Sequence, residues 1–279
     1  MQNIHVLILA IWLYAIPGLV WSAETDFPVQ IHRTGKFAGK DITAKDGEQW
    51  FGLFPVEDGF ELKETTVSLI PFQDLCMGDT EAEKTGREVK VSHPVVPLIL
   101  IRGVATLQDG PVKTVYITDT PTYQGTFLYP GQHLSMRGIS PSSAESTSGV
   151  YDLGIKLLLP SVAESTPEFY YLTALGNVMD IHQSPGNVVI EDYRFLLTWH
   201  TARNRDHLKS QILRRYNRIN LEGAPSIIWA GDLDGDDKVD LLMNIHDDYA
   251  AREYALFLSS YSEADELVHL VATFVVPSC

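Results

Sequence analysis

Short runs of alternating or uniformly apolar residues, punctuated by turn dipeptides, recur along the whole chain and predict strands with few helices. In the first half the runs fall at Val29 to His32, Trp50 to Pro55, Phe60 to Lys63 and Thr66 to Phe72. They are bounded by Asp46-Gly47 and Asp58-Gly59, dipeptides suited to the tight turns of hairpins. β-Branched and apolar residues then crowd Glu88 to Arg102, where Pro94 and Pro97 restrict pairing to an edge, and Asp109-Gly110 precedes a run from Val112 to Thr118. Further strand candidates are Tyr123 to Tyr129, Gln132 to Met136, Val150 to Leu159, Phe169 to Leu175, Asn187 to His200, Glu253 to Ser259 and Leu267 to Val276. Ile190, Tyr193, Phe195 and Leu197 fit period-2 burial, although Leu196 interrupts the alternation. Only Asp247 to Tyr254 and Ser262 to Glu266 read as short turns of helix. The stretch Ser140 to Gly149, SPSSAESTSG, is small and polar and reads as an exposed loop or a boundary. Together these signals predict an all-β or β-dominated protein of antiparallel sheets, either a sandwich or an open barrel. An N-terminal β subdomain is expected over residues 23–139 and a C-terminal one over 150–279, as one domain or two.

One stretch breaks the polar-turn pattern with specific chemistry. In Pro225 to Met243, PSIIWAGDLDGDDKVDLLM, two apolar runs flank a loop whose Asp232, Asp234, Asp236 and Asp240 stand at relative positions 1, 3, 5 and 9. Four carboxylates in so short a loop repel one another unless a cation joins them. Calcium accepts several oxygen ligands in a flexible shell, which such a loop supplies. Gly235 allows the tight fold between the second and third ligands. Lys238, at position 7, is expected to offer its backbone carbonyl, by analogy with the seventh position of an EF-hand loop, and Asp240 closes the shell from the outgoing strand. The alternative is a solvated turn held by Asx-type hydrogen bonds.

The loop resembles the calcium loop of the FG-GAP/VCBS repeats of integrin α-subunits and many bacterial surface proteins, whose pattern is D-x-[DN]-G-D-G-x-x-D-L. The match rests on Asp232, Asp234, Gly235, Asp236, Asp240 and Leu241 and covers about a dozen residues. Asp237 departs from it by standing where the pattern has glycine, although Asp tolerates a left-handed backbone better than most residues. The resemblance implies a calcium-binding loop over 232–240 in a β protein. It does not imply a propeller, because the loop occurs once and a bladed fold needs it at a fixed period. An EF-hand fits less well, since no Glu occupies position 12. The pattern as a whole is also similar to exported bacterial proteins that end in a WAGDLDGD-type loop, two strands and a terminal cysteine.

Charge narrows the partners. With Lys+Arg 21 against Asp+Glu 36 the net charge is −15, which argues against nucleic acid or an anionic membrane surface as the main target. A basic cluster of Arg203, Arg205, Lys209, Arg214, Arg215 and Arg218 reads either as an anion or acidic-polysaccharide contact or as a hairpin balanced by nearby carboxylates. The acidic residues between Asp74 and Glu83 read as a solvated turn.

The chain opens with an apolar run from Val6 to about Ala15, then Pro17-Gly18, then small residues up to Ala23, the layout of a signal peptide over residues 1–22. Its start carries no Lys or Arg, which keeps an uncleaved anchor as the alternative. No later segment reaches spanning length. A periplasmic or secreted location is expected, and there Cys76 and Cys279, the two cysteines present, most simply pair. The chain contains no G-x-S-x-G, H-E-x-x-H, phosphate-binding loop or C-x-x-C signature, and its histidines stand at no metal-ligand interval. The reading that follows is a calcium-stabilised exported protein that binds a protein or carbohydrate, or has a structural role. The alternative is an envelope-glycan or ester hydrolase with a structural calcium.

Overall fold

A computed structural model describes residues 28–117, 133–135, 168–179, 189–201, 204–220, 224–246 and 251–277. The segments expected to form the signal peptide and the strands at 123–129 and 150–159 lie outside these residues, as do the 140–149 linker and Cys279.

The organising strands are β12 (Ser226–Asp232), β13 (Asp240–Asn244), β14 (Ala251–Leu258) and β15 (His269–Pro277), an antiparallel meander in sequence order. Their apolar runs are continuous because both faces are covered. Leu242 and Leu256 point into one core, whereas their neighbours Leu241, Met243, Ala255 and Phe257 point into another. Each such large side chain contributes about 1.5–3 kcal/mol by full burial. A bulge between Ile227 and Trp229 sends both Ile228 and Trp229 into the first core.

β12 continues into the N-terminal half through β7 (Gly110–Ile117), and the sheet runs on through β4 (Gly59–Phe72), β3 (Gln49–Val56) and β6 (Leu100–Arg102) to β1 (Gln30–His32). β1 then lies against β15, so the sheet is a nearly closed antiparallel barrel. The first core fills it, with Trp50, Leu53, Leu62, Ile101, Trp229 and Tyr254 among its members. Beyond Thr66 the long strand β4 leaves β3 and pairs with β5 (Gly86–Val91), which pairs with β2 (Gly35–Phe37). A second sheet of β8 (His133–Ser135), β9 (Glu168–Met179), β10 (Val189–Thr201) and β11 (Asn204–Asn220) covers the outside of β12–β15. Leu172, Ile190, Tyr193 and Phe195 supply its side of the second core. Gln211 fastens the covering, its side-chain oxygen accepting the N–H of Leu267 at 2.7 Å and its amide donating to the Val268 carbonyl at 2.6 Å.

The expected β-rich antiparallel architecture is therefore present, in the barrel form. β7–β12 pairing puts β1–β7 and β12–β15 in one sheet. Three local expectations are corrected. Residues 251–254 belong to β14, and 262–266 form turns, so neither of the two suggested helical turns is present among the described residues. Of the three Asp-Gly pairs expected to close hairpins, at 46–47, 58–59 and 109–110, only Asp58-Gly59 does so, between β3 and β4. Asp46 and Asp109 instead use a carboxylate oxygen to accept the N–H of Leu69 and of Glu64, both at 2.8 Å. The two runs at 60–63 and 66–72 are one strand.

The basic cluster also resolves, as far as it is described. Arg215 donates to Asp192 at 2.7 and 3.0 Å, and Arg214 stands 3.9 Å from Glu253. Lys209 donates to the carbonyls of Ala264 and Glu266. These cations serve strand pairing and docking of the small sheet, and β11 is a 17-residue strand where the sequence showed mainly charge.

Candidate metal centre

The loop between β12 and β13 starts where two backbones touch. A Cβ at Gly231 would stand 2.3 Å from the Lys113 carbonyl oxygen, so only glycine lets β7 approach this closely. That approach sets Lys113 opposite Asp232 in the ladder, with Nζ 3.6 Å from the Asp232 carboxylate and hydrogen-bonded to Asp237. The chain then reverses through Gly235 at φ +80° and Asp237 at φ +64°, two left-handed positions. Asp237 thus does conformationally what a glycine would do at that place.

Asp232, Asp234 and Asp240 each present a carboxylate oxygen within 4.8 Å of the others. Asp240 is fully buried and Asp232 nearly so. Asp240 is held by three donors: the Leu233 N–H at 2.7 Å, the Ser259 N–H at 2.8 Å and the Ser259 hydroxyl at 2.9 Å. Asp232 accepts the N–H groups of Gly235 at 2.8 Å and Asp237 at 3.1 Å. Asp234 accepts the Ser260 hydroxyl on one oxygen, while its other oxygen is buried with no hydrogen-bond partner.

The electrostatics follow from that crowding. At an effective dielectric near 20, two like charges this close repel by about 3 kcal/mol. Burial pushes the Asp240 carboxyl well above the usual range, with the Asp234 charge adding to the rise. Asp234 is raised in the same way, by burial first and then by Asp236 and Asp232. Lys113 offsets only part of this charge, being about half exposed and drawn mainly to Asp237.

The three carboxylates can hold a metal ion. The partnerless buried oxygen of Asp234 supplies a free ligand atom, and the donor set is all oxygen, which suits a hard cation and not a thiolate- or imidazole-seeking one. Asp236 and Lys238, the other two expected ligands, stand differently. The Asp236 carboxylate is engaged by the Ser259 hydroxyl at 3.0 Å and the Lys238 N–H at 2.9 Å. Lys238 is exposed, with its ammonium 3.6 Å from Asp236.

Sequence reasoning missed Ser259, Ser260 and Lys113. Nothing local marks them: the serines lie just past β14 and the lysine on β7, and only strand pairing brings them to the loop. A cleft of about 330 Å³ opens beside the loop, lined by Gln108, Asp109, Lys113, Asp232 and Asp234 among others. Among the described residues no helix is long and apolar enough to cross a membrane. No protein-family model, curated protein or solved structure matches the chain.

Proposed function

We propose that this is an exported β-barrel protein with a binding or structural role, in which the 232–240 loop takes a calcium ion that fastens the barrel. The observation that carries the reading is the convergence of Asp232, Asp234 and Asp240 within 4.8 Å, with a buried Asp234 oxygen that no protein donor satisfies. A cation there would join β12 to β13 and, through Ser259 and Ser260, to the end of β14. Calcium supplies positive charge to three carboxylates in this reading, and the chain's own residues only bind and orient it. Titration calorimetry of metal-free protein with calcium, magnesium and zinc tests the proposal. Calcium should bind at one site near the ~10⁻⁴–10⁻³ M typical of extracellular modules, with magnesium weaker because it demands tight octahedral geometry. Absence of calcium binding, or a preference for zinc, would refute it.

Export belongs to the same proposal. No cysteine is free among the described residues. A Cys76–Cys279 bridge would close a loop of about 200 residues, for which the chain-entropy treatment allows roughly 5 kcal/mol as an upper figure. Non-reducing peptide mapping of protein from its host should recover the linked peptides and a mature N-terminus near Ala23. Two alkylatable thiols, or an intact Met1, would count against this setting.

A further inference from the structure

The barrel has one seam without a ladder. β1 pairs with β6 alone, through Gln30 with Arg102, Ile31 with Ile101 and His32 with Leu100. Its other side lies against β15, and no backbone pairing joins the two strands. Rings fill the gap instead. His32 is fully buried, its ring centroid 4.2 Å from that of Phe274 in β15, 5.1 Å from Phe37 in β2 and 6.4 Å from Trp50 in β3. Its Nδ1 lies 2.7 Å from the Arg33 carbonyl oxygen and so carries the proton in the neutral ring, leaving Nε2 as a bare acceptor. Nε2 is buried with no partner. Gln30, Arg33 and Asp41 each bury a further unpartnered polar atom, so four of the six such atoms among the described residues fall within residues 30–41. Three of these atoms belong to β1 and the residue that follows it, so polar satisfaction is poor on this side of the seam, which marks it as a place where the barrel opens cheaply.

We propose that His32 is a proton-operated latch. As the neutral ring it closes β1 onto β15 through the aromatic box, and protonation at Nε2 releases β1 and opens the barrel interior.

The groups around the ring favour the neutral form. Arg33, next in the chain, is a cation that donates to the Tyr254 hydroxyl of β14 and lies over its ring. Arg102 of β6 lies over Trp50 and is paired with Glu48 at 2.6 Å, and Glu48 also accepts the Trp50 ring N–H at 3.3 Å. Lys36 of β2 lies over Phe72. β15 presents Phe274, which carries no charge. The buried Asp41 oxygen is not bonded to Nε2, since both lack partners. Nothing therefore accepts the second proton as a hydrogen bond. Burial lowers the His32 pKa, while the Arg33 carbonyl opposes this in part. The closed seam then holds fewer protons than the open one, so acid favours opening below the ordinary histidine value of 6.5 and leaves it unchanged above. The opening equilibrium rises by at most a factor of 1 + 10^(6.5−pH), about 30-fold at pH 5.

Hydrogen exchange of the full chain in millimolar calcium, corrected for intrinsic rates and compared at pH 7.5 and 5.0, tests this. Peptides covering β1 should lose protection by roughly 10- to 30-fold at pH 5, with β12 and β13 unchanged. His32→Phe and His32→Gln should remove the loss. Equal protection of β1 at both pH values in the parent, or the same loss in both variants, would overturn the proposal. Should neither variant fold, a nuclear magnetic resonance titration of the parent decides. His32 must remain neutral at pH 6.5 and gain its proton together with shifts in the β1 and β15 amides. A ring that titrates at or above 6.5 with those amides unmoved overturns the latch.

Discussion

Two acidic loops of this protein solve the same problem in opposite ways. In residues 74–86 each carboxylate has donors of its own: Asp79 accepts the Thr85 hydroxyl at 2.7 Å and the N–H groups of Asp74, Thr85 and Gly86. Glu83 accepts the Thr80 N–H and hydroxyl, and Glu81 pairs with Lys84 at 2.9 Å. The Thr85 hydroxyl in particular holds Asp79 below the usual carboxylate range. In residues 232–240 the carboxylates converge on one another instead, and burial drives Asp234 and Asp240 upward. Acidic density alone therefore does not make a cation site. What separates the two loops is that the second gathers three carboxylates within 4.8 Å of one another and leaves a buried oxygen of Asp234 without a donor.

The largest effect that tests this contrast is expected from Asp240→Ala. It strips the acceptor from two buried N–H groups and a hydroxyl, a loss of about 2–4 kcal/mol even after the relief of like-charge repulsion. Urea melts should show that loss without calcium, and addition of calcium should not restore it. A variant as stable as the parent would mean that Asp240 does not organise the loop.

Next comes the ion itself. At 10 to 100 times the dissociation constant, linkage contributes about 1.4–2.7 kcal/mol, or a rise in melting temperature of roughly 3–10 °C for a chain of this size. Asp234→Ala should abolish that rise at little cost in EDTA, because Asp234 is only half buried and accepts one bond, from the Ser260 hydroxyl. Asp79→Ala should lower the melting temperature equally in EDTA and calcium. A calcium response lost in Asp79→Ala would erase the distinction between the loops.

Much of this was legible in the sequence, for identifiable reasons. The 232–240 loop could be read because its carboxylates are close in sequence and its flanks, Ile227 to Ala230 and Leu241 to Met243, are buried on both faces and so uniformly apolar. β11 was obscured because an edge strand carries Arg214 and Arg215, whose partners Glu253 and Asp192 lie on other strands. Ser259, Ser260 and Lys113 left no signal, since a serine pair or a lysine looks the same on any surface. The seam at His32 was equally silent: a lone histidine in an apolar run becomes notable only when β15 closes over it.

Acid and base should move the two loops in opposite directions. Asp234 and Asp240 bind protons more tightly folded than unfolded, so in EDTA their contribution to stability declines as pH rises from 3.8 through their raised values. Asp79 is depressed, so its contribution is present above 3.8 and is lost as pH falls through its lower folded value. The stability difference between the parent and Asp240→Asn in EDTA should therefore shrink with rising pH. The difference from Asp79→Asn should shrink with falling pH. Slopes of the same sign would show that the two acidic environments are alike.

The smallest effect is expected at Asp237, the position at which the loop departs from the calcium-loop pattern it resembles. Its left-handed backbone costs a non-glycine residue about 1 kcal/mol, which Asp237→Gly would recover in part, since glycine loses more freedom on folding. The same change removes the Lys113 partner, an exposed ion pair worth about 0–1 kcal/mol, while Lys113 keeps Asp232 within 3.6 Å. These terms nearly cancel, so Asp237→Gly should shift stability by less than about 0.5 kcal/mol. The calcium-induced rise in melting temperature should persist in full, because the side chain at 237 is mostly exposed and lies outside the group of three carboxylates. A variant that keeps its ion-free stability but loses the calcium response would make Asp237 a ligand. The cation would then sit on the Lys113 side of the loop, away from the buried oxygen of Asp234.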